Sequence, residues 1–483
     1  MNDPDNGPLC EIGVVGLGVM GRSLLLNIAG RGFPAAGYDN DAAKLRALTE
    51  ESGSLPVKCG AGLKEFSALL RRPRAVLLLV PAGAPVDAVI EALLPFLEKG
   101  DLVIDAGNSY YEDTDRRGEH LSAKGIKFAG VGISGGEEGA RLGPSLMAGG
   151  DREAYERVRP VFEAIAAKAG KETCAAWLGQ GSAGHFVKMT HNGIEYALMQ
   201  LISETYDLMK RGLGLGDPEL SAVYRAWNEG ELNSYLVGIT AEIFARADKD
   251  TGGKLIDEIS DVALQKGTGM WTSRSAMELH VPAPTIDISV AMRDLSALKE
   301  QRSAAAGLRG ASARSPGENG KKTVERLNRA LYAAFMITYA QGLALLSAAS
   351  KERGYALKLE TVAGIWRGGC IIRSAMLDVI RAAVRRAPAL ANILLDQAVF
   401  DEVAARREDL AAIVCAAAGT GLPAPAFMSA LAYFDAYRAG WLPANLIQAQ
   451  RDYFGAHGYG MKNAEGVFHT DWHGTVSSSV PER

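Results

Sequence analysis

Residues 11–32 read EIGVVGLGVMGRSLLLNIAGRG. The apolar run Glu11 to Val15 predicts a first strand, GLGVMG places Gly16, Gly18 and Gly21 in GxGxxG spacing, and RSLLLNIAGRG continues as a helix. The three glycines permit, in order, a tight turn, close backbone approach to a pyrophosphate, and tight helix-strand packing. The free N–H groups and partial positive charge of the helix N-terminus complete an anion cradle. With 55 glycines in the chain, GxGxxG spacing alone is weak evidence. In strand-turn-helix context it predicts dinucleotide binding, with Gly16, Leu17, Gly18, Val19, Met20 and Gly21 forming the turn.

Outward from the turn, PAAGYD (34–39), AVLLLV (75–80), LVIDAG (102–107) and IKFAGV (126–131) alternate with helical stretches. That alternation predicts a doubly wound α/β domain, a parallel sheet with helices on both faces, over residues 10–182. The second strand ends at Asp39, 39 − 21 = 18 positions after the third glycine. An acidic residue about 20 positions on accepts hydrogen bonds from the ribose hydroxyls of NAD, and its charge repels the extra phosphate of NADP. Asn40 and Asp41 follow, with no Arg or Lys beside them. The competing reading is that Asp39 only caps the next helix.

From about residue 183 the pattern changes to Ala, Leu and Met at helical spacing, which predicts an all-helical domain over 183–440. Within it, residues 303–321 are small, polar and glycine-bearing and read as an exposed loop. Beyond Gly440 periodicity is lost again, so 441–483 reads as an extended C-terminal tail.

Composition bounds the function. The 483 residues are 48% hydrophobic, enough for more than one domain of roughly 100–200 residues. Lys+Arg of 52 against Asp+Glu of 56 gives a net charge of −4, so there is no overall basic field for nucleic acid or anionic lipid. An anionic substrate must therefore be held by locally placed cations. The five cysteines, Cys10, Cys59, Cys174, Cys370 and Cys415, are scattered, which disfavours disulfides and a zinc site. No signal segment is evident and no uninterrupted apolar run reaches the ~18 residues of a membrane span, so a cytoplasmic location is expected.

In GHFVKMTHNGIEYALMQ (184–200), Lys188, His191, Asn192 and Glu195 fall at i, i+3, i+4 and i+7, on one helical stripe. At 1.5 Å per residue the Lys and Glu Cα atoms lie about 10 Å apart, a span suited to a several-carbon substrate between a base and an acid. The alternative is a solvated Lys-to-Glu face. The apolar Phe186, Val187, Ile194 and Leu198 argue against it. Ser134, Gly135 and Gly136 follow a predicted strand, either as a ligand-binding end or as a flexible turn. QKGTGMW (265–271) sets Lys266 and Thr268 between glycines, chemistry suited to phosphate or carboxylate.

Along almost its whole length the sequence resembles the decarboxylating 6-phosphogluconate dehydrogenases, through GLGVMG (16–21), DAGNS (105–109), SGGEEGARLGPSLMAGG (134–150), GHFVKMTHNGIEY, QKGTGMW, WRGGCIIRS (366–374) and HGTVSSS (473–479). The resemblance implies a Rossmann domain, a large helical domain, and a tail that threads into the partner subunit of a homodimer. It implies Lys188 as general base at the C3 hydroxyl and Glu195 as general acid at C1 of the enediol, giving ribulose 5-phosphate. Asn108, Ser134, Gly135, Gly136, His191 and Asn192 match positions that hold the substrate carboxylate, hydroxyls or nicotinamide. Tyr196, Lys266, Thr268 and Arg293 match the phosphate site, and Arg451 and His457 match the pair given by the partner's tail.

The departures concern the cofactor. Members using NADP typically carry an Asn-Arg-Thr run after the second strand and a Lys after the third. Here Asp39, Asn40 and Asp41 stand in the run, and Val80, Pro81 and Ala82 follow the third cofactor-binding strand. NAD is therefore expected in preference to NADP. Two other readings compete: a β-hydroxyacid dehydrogenase for a non-phosphorylated acid, which has no use for Lys266, Arg293, Arg451 and His457, and a non-catalytic dinucleotide sensor, which needs neither Lys188 nor Glu195.

Overall fold

The computed structural model describes residues 8–249, 251–308, 320–472 and 477–479. Among them, ten strands precede the long helices: β1 (Ile12–Val15), β2 (Ala35–Tyr38), β3 (Val57–Cys59), β4 (Ala75–Leu78), β5 (Leu102–Asp105), β6 (Lys127–Ser134), β7 (Ser145–Gly150), a two-residue ribbon β8 (Lys168–Ala169) and β9 (Glu172–Thr173), and β10 (Ala175–Gly179). Eight form one sheet in the order β10-β7-β6-β5-β4-β1-β2-β3. Its strands are buried on both faces, against separate apolar clusters around Leu24, Leu25 and Phe162 on one side and Phe66, Ile90 and Leu121 on the other. Near-continuous apolar strands are what two covered faces require.

The expectation of a purely parallel sheet needs one correction. β7 runs antiparallel to β6, pairing Val131 with Ala148 and Ser134 with Ser145. Only residues 135–144 connect them, and a parallel return needs a crossover of about a dozen residues or more. The order reverses direction between β4 and β1, so the crevice beyond their C-terminal ends is where such sheets bind ligands.

Helix Ala183–Asp207 lies against β6 and β7 through glycine. A side chain on Gly132 would overlap Cβ of Lys188, and one on Gly184 would meet the backbone of Met147, Gly130 and Gly149. Gly342, on helix Gly320–Glu352, in turn receives Ile194. This 33-residue helix is long and apolar enough to cross a membrane by composition, but 89% of its apolar window is buried inside the protein. The loop expected over 303–321 is corrected at both ends: helix Lys299–Leu308 runs into it and helix Gly320–Glu352 starts within it. The residues between, 309–319, lie outside the described residues.

A second compact unit spans Ala432–Arg483. It holds helix Ala444–Gly455 and an antiparallel sheet of β11 (Tyr459–Met461), β12 (Ala464–Thr470) and β13 (Ser477–Ser479). The aperiodic tail expected after Gly440 is thus corrected to ordered structure. Its organiser is Asp452, fully buried, which accepts hydrogen bonds from the amides of Gly458 and Thr470, the His469 ring and the Trp472 indole. Burial would raise that carboxyl, but these donors outweigh it and hold it well below the usual carboxylate range.

Candidate active site

The glycine turn sits at the C-terminal end of β1. Gly16 has φ 95°, and a side chain there would lie 2.5 Å from the Leu79 carbonyl oxygen. A side chain on Gly21 would strike the Gly16 carbonyl, so both positions are fixed by packing. Gly18 differs: a Cβ there meets nothing within 4 Å. It faces a cleft of about 710 Å³ lined by Gly16, Gly18, Val19, Met20, Gly21, Asp39, Asn40, Lys44, Val80 and Pro81. Two glycines shaped by the protein and one left open toward the cleft, above the N-terminus of helix Val19–Gly30, fit a bound pyrophosphate. Three expected cofactor residues do not line it: the Leu17 side chain is fully buried, Ala82 is exposed, and Asn108 lies on the loop after β5.

Asp39 is 7% exposed and stands at this cleft. Its carboxylate accepts from the Leu17 amide at 2.7 Å and the Asp41 amide at 3.0 Å. Burial would raise its pKa, but these bonds and Lys44 prevail and leave it below the ordinary value. It does not cap the next helix: that cap is Asp41, whose side chain accepts from the Ala43 amide. A cation that the sequence pattern did not single out also appears. Lys44 Nζ lies 3.3 Å from both Asp39 oxygens, because the first helical turn after Asp41 folds it back onto the strand end.

Asn108 is exposed between buried neighbours at the end of β5. Its loop is held from below by Asp105, which accepts from the Gly107 amide at 3.1 Å and from Arg117 at 3.2 Å. Arg117, 2% exposed, also reaches Ser109 Oγ and both oxygens of Asp87.

The expected stripe on helix Ala183–Asp207 is assembled. Lys188 Nζ donates to Asn192 Oδ1 at 2.8 Å and lies 3.5 Å from His191 Nδ1. His191 Nδ1 is 3.1 Å from Asn192 Oδ1 and 3.6 Å from Glu195 Oε2, while its Nε2 lies 3.2 Å from Ser134 Oγ. The network assigns the proton to Nδ1, leaving Nε2 to accept from Ser134. Lys188 is 6% exposed and His191 fully buried, so the solvated-face reading is excluded. Burial pushes Lys188 down and Glu195 up from their ordinary values, each opposed by the other's charge. Burial and the Lys188 charge drive His191 well down, which keeps the imidazole neutral. A buried amine and a partly buried carboxyl displaced in these directions can take and give protons near neutrality.

At the end of β6, Gly135 has φ 128°, and a side chain there would lie 2.7 Å from the Gly369 carbonyl oxygen. Ser134, Gly135 and Gly136 are therefore a built turn, which removes the flexible-turn alternative. Farther along the helix, the Arg293 guanidinium lies 3.5 Å over the Tyr196 ring and donates to the Leu264 carbonyl at 3.1 Å. Gly269, in the first turn of helix Thr268–Glu278, packs on the same ring. Tyr196, Thr268 and Arg293 are thus one cluster, and Lys266 is exposed just before that helix. Arg451 and His457 belong to the second unit, where Arg451 reaches Gln448 and the His457 ring packs on Phe454.

Three residues that support the site were not marked by the sequence pattern. Trp366, fully buried, sets its ring edge-on to His191 with centroids 5.8 Å apart. Cys370, also buried, donates its thiol to the Trp366 carbonyl, and burial pushes that thiol up to about 12 beside Lys188. Asp105 is the third. The WRGGC and DAGNS runs were visible, but no periodicity relates them to residue 188.

Comparison with known proteins matches both parts of the chain to one family. Residues 11–179 match the NAD binding domain of 6-phosphogluconate dehydrogenase, and residues 184–472 match the 6-phosphogluconate dehydrogenase C-terminal domain. The chain is 50% identical over 463 residues to the NADP(+)-dependent, decarboxylating 6-phosphogluconate dehydrogenase of Bacillus subtilis, covering 96% of this chain and 99% of the relative. It is 47% identical to the decarboxylating enzyme of Escherichia coli over 96% of this chain and 99% of the relative. Among solved structures it is similar to Plasmodium falciparum 6-phosphogluconate dehydrogenase, described without ligand, with NADP+ and with 6-phosphogluconate, at TM-score 0.93 and 41% identity, covering 96% of this chain and all of that one.

Proposed function

The chain belongs to the decarboxylating 6-phosphogluconate dehydrogenase family, and from that premise we propose that it oxidises and decarboxylates 6-phosphogluconate to ribulose 5-phosphate and CO2, a pentose phosphate reaction, with NAD preferred over NADP. The observation that carries the reaction is the Lys188–Glu195 pair, a buried amine and a partly buried carboxyl on one helix, displaced in opposite directions.

Neutral Lys188 takes the C3 hydroxyl proton as C3 becomes a carbonyl. A nicotinamide dinucleotide held by its pyrophosphate at the glycine turn would supply the hydride acceptor. Protonated Lys188 then donates to the C3 oxygen while the C1–C2 bond breaks, so CO2 leaves and its electrons enter the enediol. Glu195 protonates the carbon that becomes C1 of the product, and Lys188 recovers the enediol hydroxyl proton as the ketone forms. Ser134, His191 and Asn192 hold the substrate between these groups. Arg293, Tyr196, Lys266 and the N-terminus of helix Thr268–Glu278 receive the phosphate. A hydroxy acid without phosphate would leave the Arg293 cluster unused, and a dinucleotide sensor would have no need of the Lys188–Glu195 pair.

The NAD preference rests on Asp39. Its carboxylate faces the cofactor cleft, Pro81 stands where NADP-using members carry a cation, and the ammonium of Lys44, which also lines the cleft, is engaged by Asp39 itself. The Bacillus subtilis relative is named as NADP-dependent, so this is a departure within the family. With 6-phosphogluconate as substrate, kcat/KM is expected to be higher with NAD than with NADP. A higher value with NADP overturns the preference and leaves the reaction standing. Replacing Asp39 by Asn should narrow the gap, since it frees Lys44 and removes the repulsion of a 2′-phosphate. We further propose a cytoplasmic homodimer in which each tail completes the partner's phosphate site.

A further inference from the structure

We propose that His185 is a positioning residue that locks the Asp105–Ser109 loop, and with it Asn108, to the helix carrying Lys188 and Glu195. The inference rests on the dehydrogenase reading, because it concerns how the two halves of that site are held in register.

His185 is 1% exposed and precedes Lys188 by three residues, so the two share a face of the helix. Both are received by glycines on one face of β6. A Cβ on Gly130 would lie 2.9 Å from His185 Nδ1 and 2.6 Å from the Thr114 methyl, and one on Gly132 would overlap Lys188. The spaces for the imidazole and for the base are cut side by side.

His185 Nδ1 lies 2.6 Å from Thr114 Oγ1, and that hydroxyl donates its one proton to the Tyr110 carbonyl at 3.1 Å. Thr114 stands in the first turn of helix Tyr111–Ser122, directly after the Asn108 loop. The backbone of Asp105 and Gly107 also acts on the ring, favouring a nitrogen that carries its proton, and burial keeps the imidazole uncharged. Nε2 is buried without a hydrogen-bond partner of full geometry among the described residues. A neutral imidazole satisfies this geometry when Nδ1–H donates to Thr114 Oγ1. Through Thr114 the ring then fixes the Tyr110 end of the loop that presents Asn108.

A core histidine serving only to fill space would be replaced by Leu at a cost in stability alone. The test compares His185→Leu, His185→Asn and His185→Gln in the full-length protein. Gln sets its amide near the position of Nε2 and Asn near that of Nδ1. Without cofactor or substrate, amide hydrogen exchange in residues 105–110 is expected to rise in the Leu and Gln variants and to stay near wild type in the Asn variant. With 6-phosphogluconate deuterated at C3, the isotope effect on kcat should grow in the Leu and Gln variants, with kcat down by about tenfold or more, since small misplacements of reacting groups slow the hydride step. The Asn variant should remain within about threefold of wild type. Thermal melts separate fold loss from positioning. Unchanged exchange and isotope effect in His185→Leu, or equal behaviour of the Asn and Gln variants if Leu fails to fold, overturns the proposal. A wild-type protein inactive on 6-phosphogluconate would sink the dehydrogenase reading, while the exchange comparison would still decide the role of His185 in the loop.

Discussion

Lys188 and Glu195 share a helix but need opposite protonation states at the start of turnover: the amine neutral, the carboxyl protonated. Burial moves both the right way, lowering Lys188 from 10.5 and raising Glu195 from 4.5, while each charge opposes the other's shift. Activity therefore rises as pH climbs through the lowered Lys188 value and falls as it passes the raised Glu195 value. Glu195→Gln is expected to remove the Glu195 limb and to lower turnover by about 10²- to 10⁴-fold, the usual span for one acid-base group. It should also move the remaining limb to lower pH, because the Glu195 charge that helps keep Lys188 protonated is gone. A Glu195→Gln pH profile superimposable on wild type would refute the assignment. The stripe was legible in sequence because i, i+3, i+4 and i+7 fix a face of any helix. His185 and Cys370 were not, since Thr114 and Lys188 reach them across tertiary contacts for which sequence spacing carries no information, and Lys44, only five positions past Asp39, is turned back onto it by the intervening bend.

The same helix carries a further buried ionisable group, Glu204, 2% exposed. It accepts from the Ala426 and Phe427 amides at 2.9 and 3.0 Å, the first turn of helix Pro425–Tyr437, and from Gln200 at 3.0 Å. Burial pushes its pKa up to about 7 despite these donors, and Asp207 adds to the rise. Because the folded value exceeds the unfolded one, the stability linked to Glu204 is fully present below the unfolded value and is lost as pH rises through about 7. From 4.5 to about 7 this amounts to about 3 kcal/mol at the alkaline end. Thermal melts from pH 5 to pH 8.5 should show Tm falling more steeply in wild type than in Glu204→Gln, which keeps an acceptor for the cap and cannot ionise. Parallel Tm curves would rule this out. No local pattern marks the contact, which spans more than 200 positions. The same limit explains other elements: GxGxxG and the apolar strands were readable from local pattern, whereas the reversal of β7 depends on the length of its connection. Helix Ala444–Gly455 went unread because its Leu446, Ile447, Tyr453 and Phe454 are exposed, so no buried stripe marks it.

At the scale of the whole molecule, a chain of net charge −4 must bind a substrate carrying both a carboxylate and a phosphate. The cations that answer this are local, and in the first unit Arg293 is held in place by an aromatic face and a carbonyl. Burial lowers the pKa of Arg293 and Glu195 bears on it from nearby, so a dianionic phosphate there calls for further positive charge. In the proposed homodimer the partner's second unit supplies it through Arg451, on a frame fixed by Asp452. The unit also exposes Trp441, Leu446, Ile447 and Phe454, apolar surface that favours burial against another protein. Supply of the tail by a second copy accounts for both features. Truncation before Gly440 is then expected to yield a monomer in sedimentation with affinity for 6-phosphogluconate largely lost, because surface burial and cations disappear together. Arg451→Met separates the two: the dimer should persist while KM for 6-phosphogluconate rises by about 10- to 100-fold, the loss of a charge-assisted bond worth about 1.5–3 kcal/mol. Cofactor affinity should not change, since the glycine turn and Asp39 lie on the first unit. A truncated chain that stays dimeric with unchanged KM would assign the phosphate wholly to Arg293 and its neighbours and leave the tail without a part in the site.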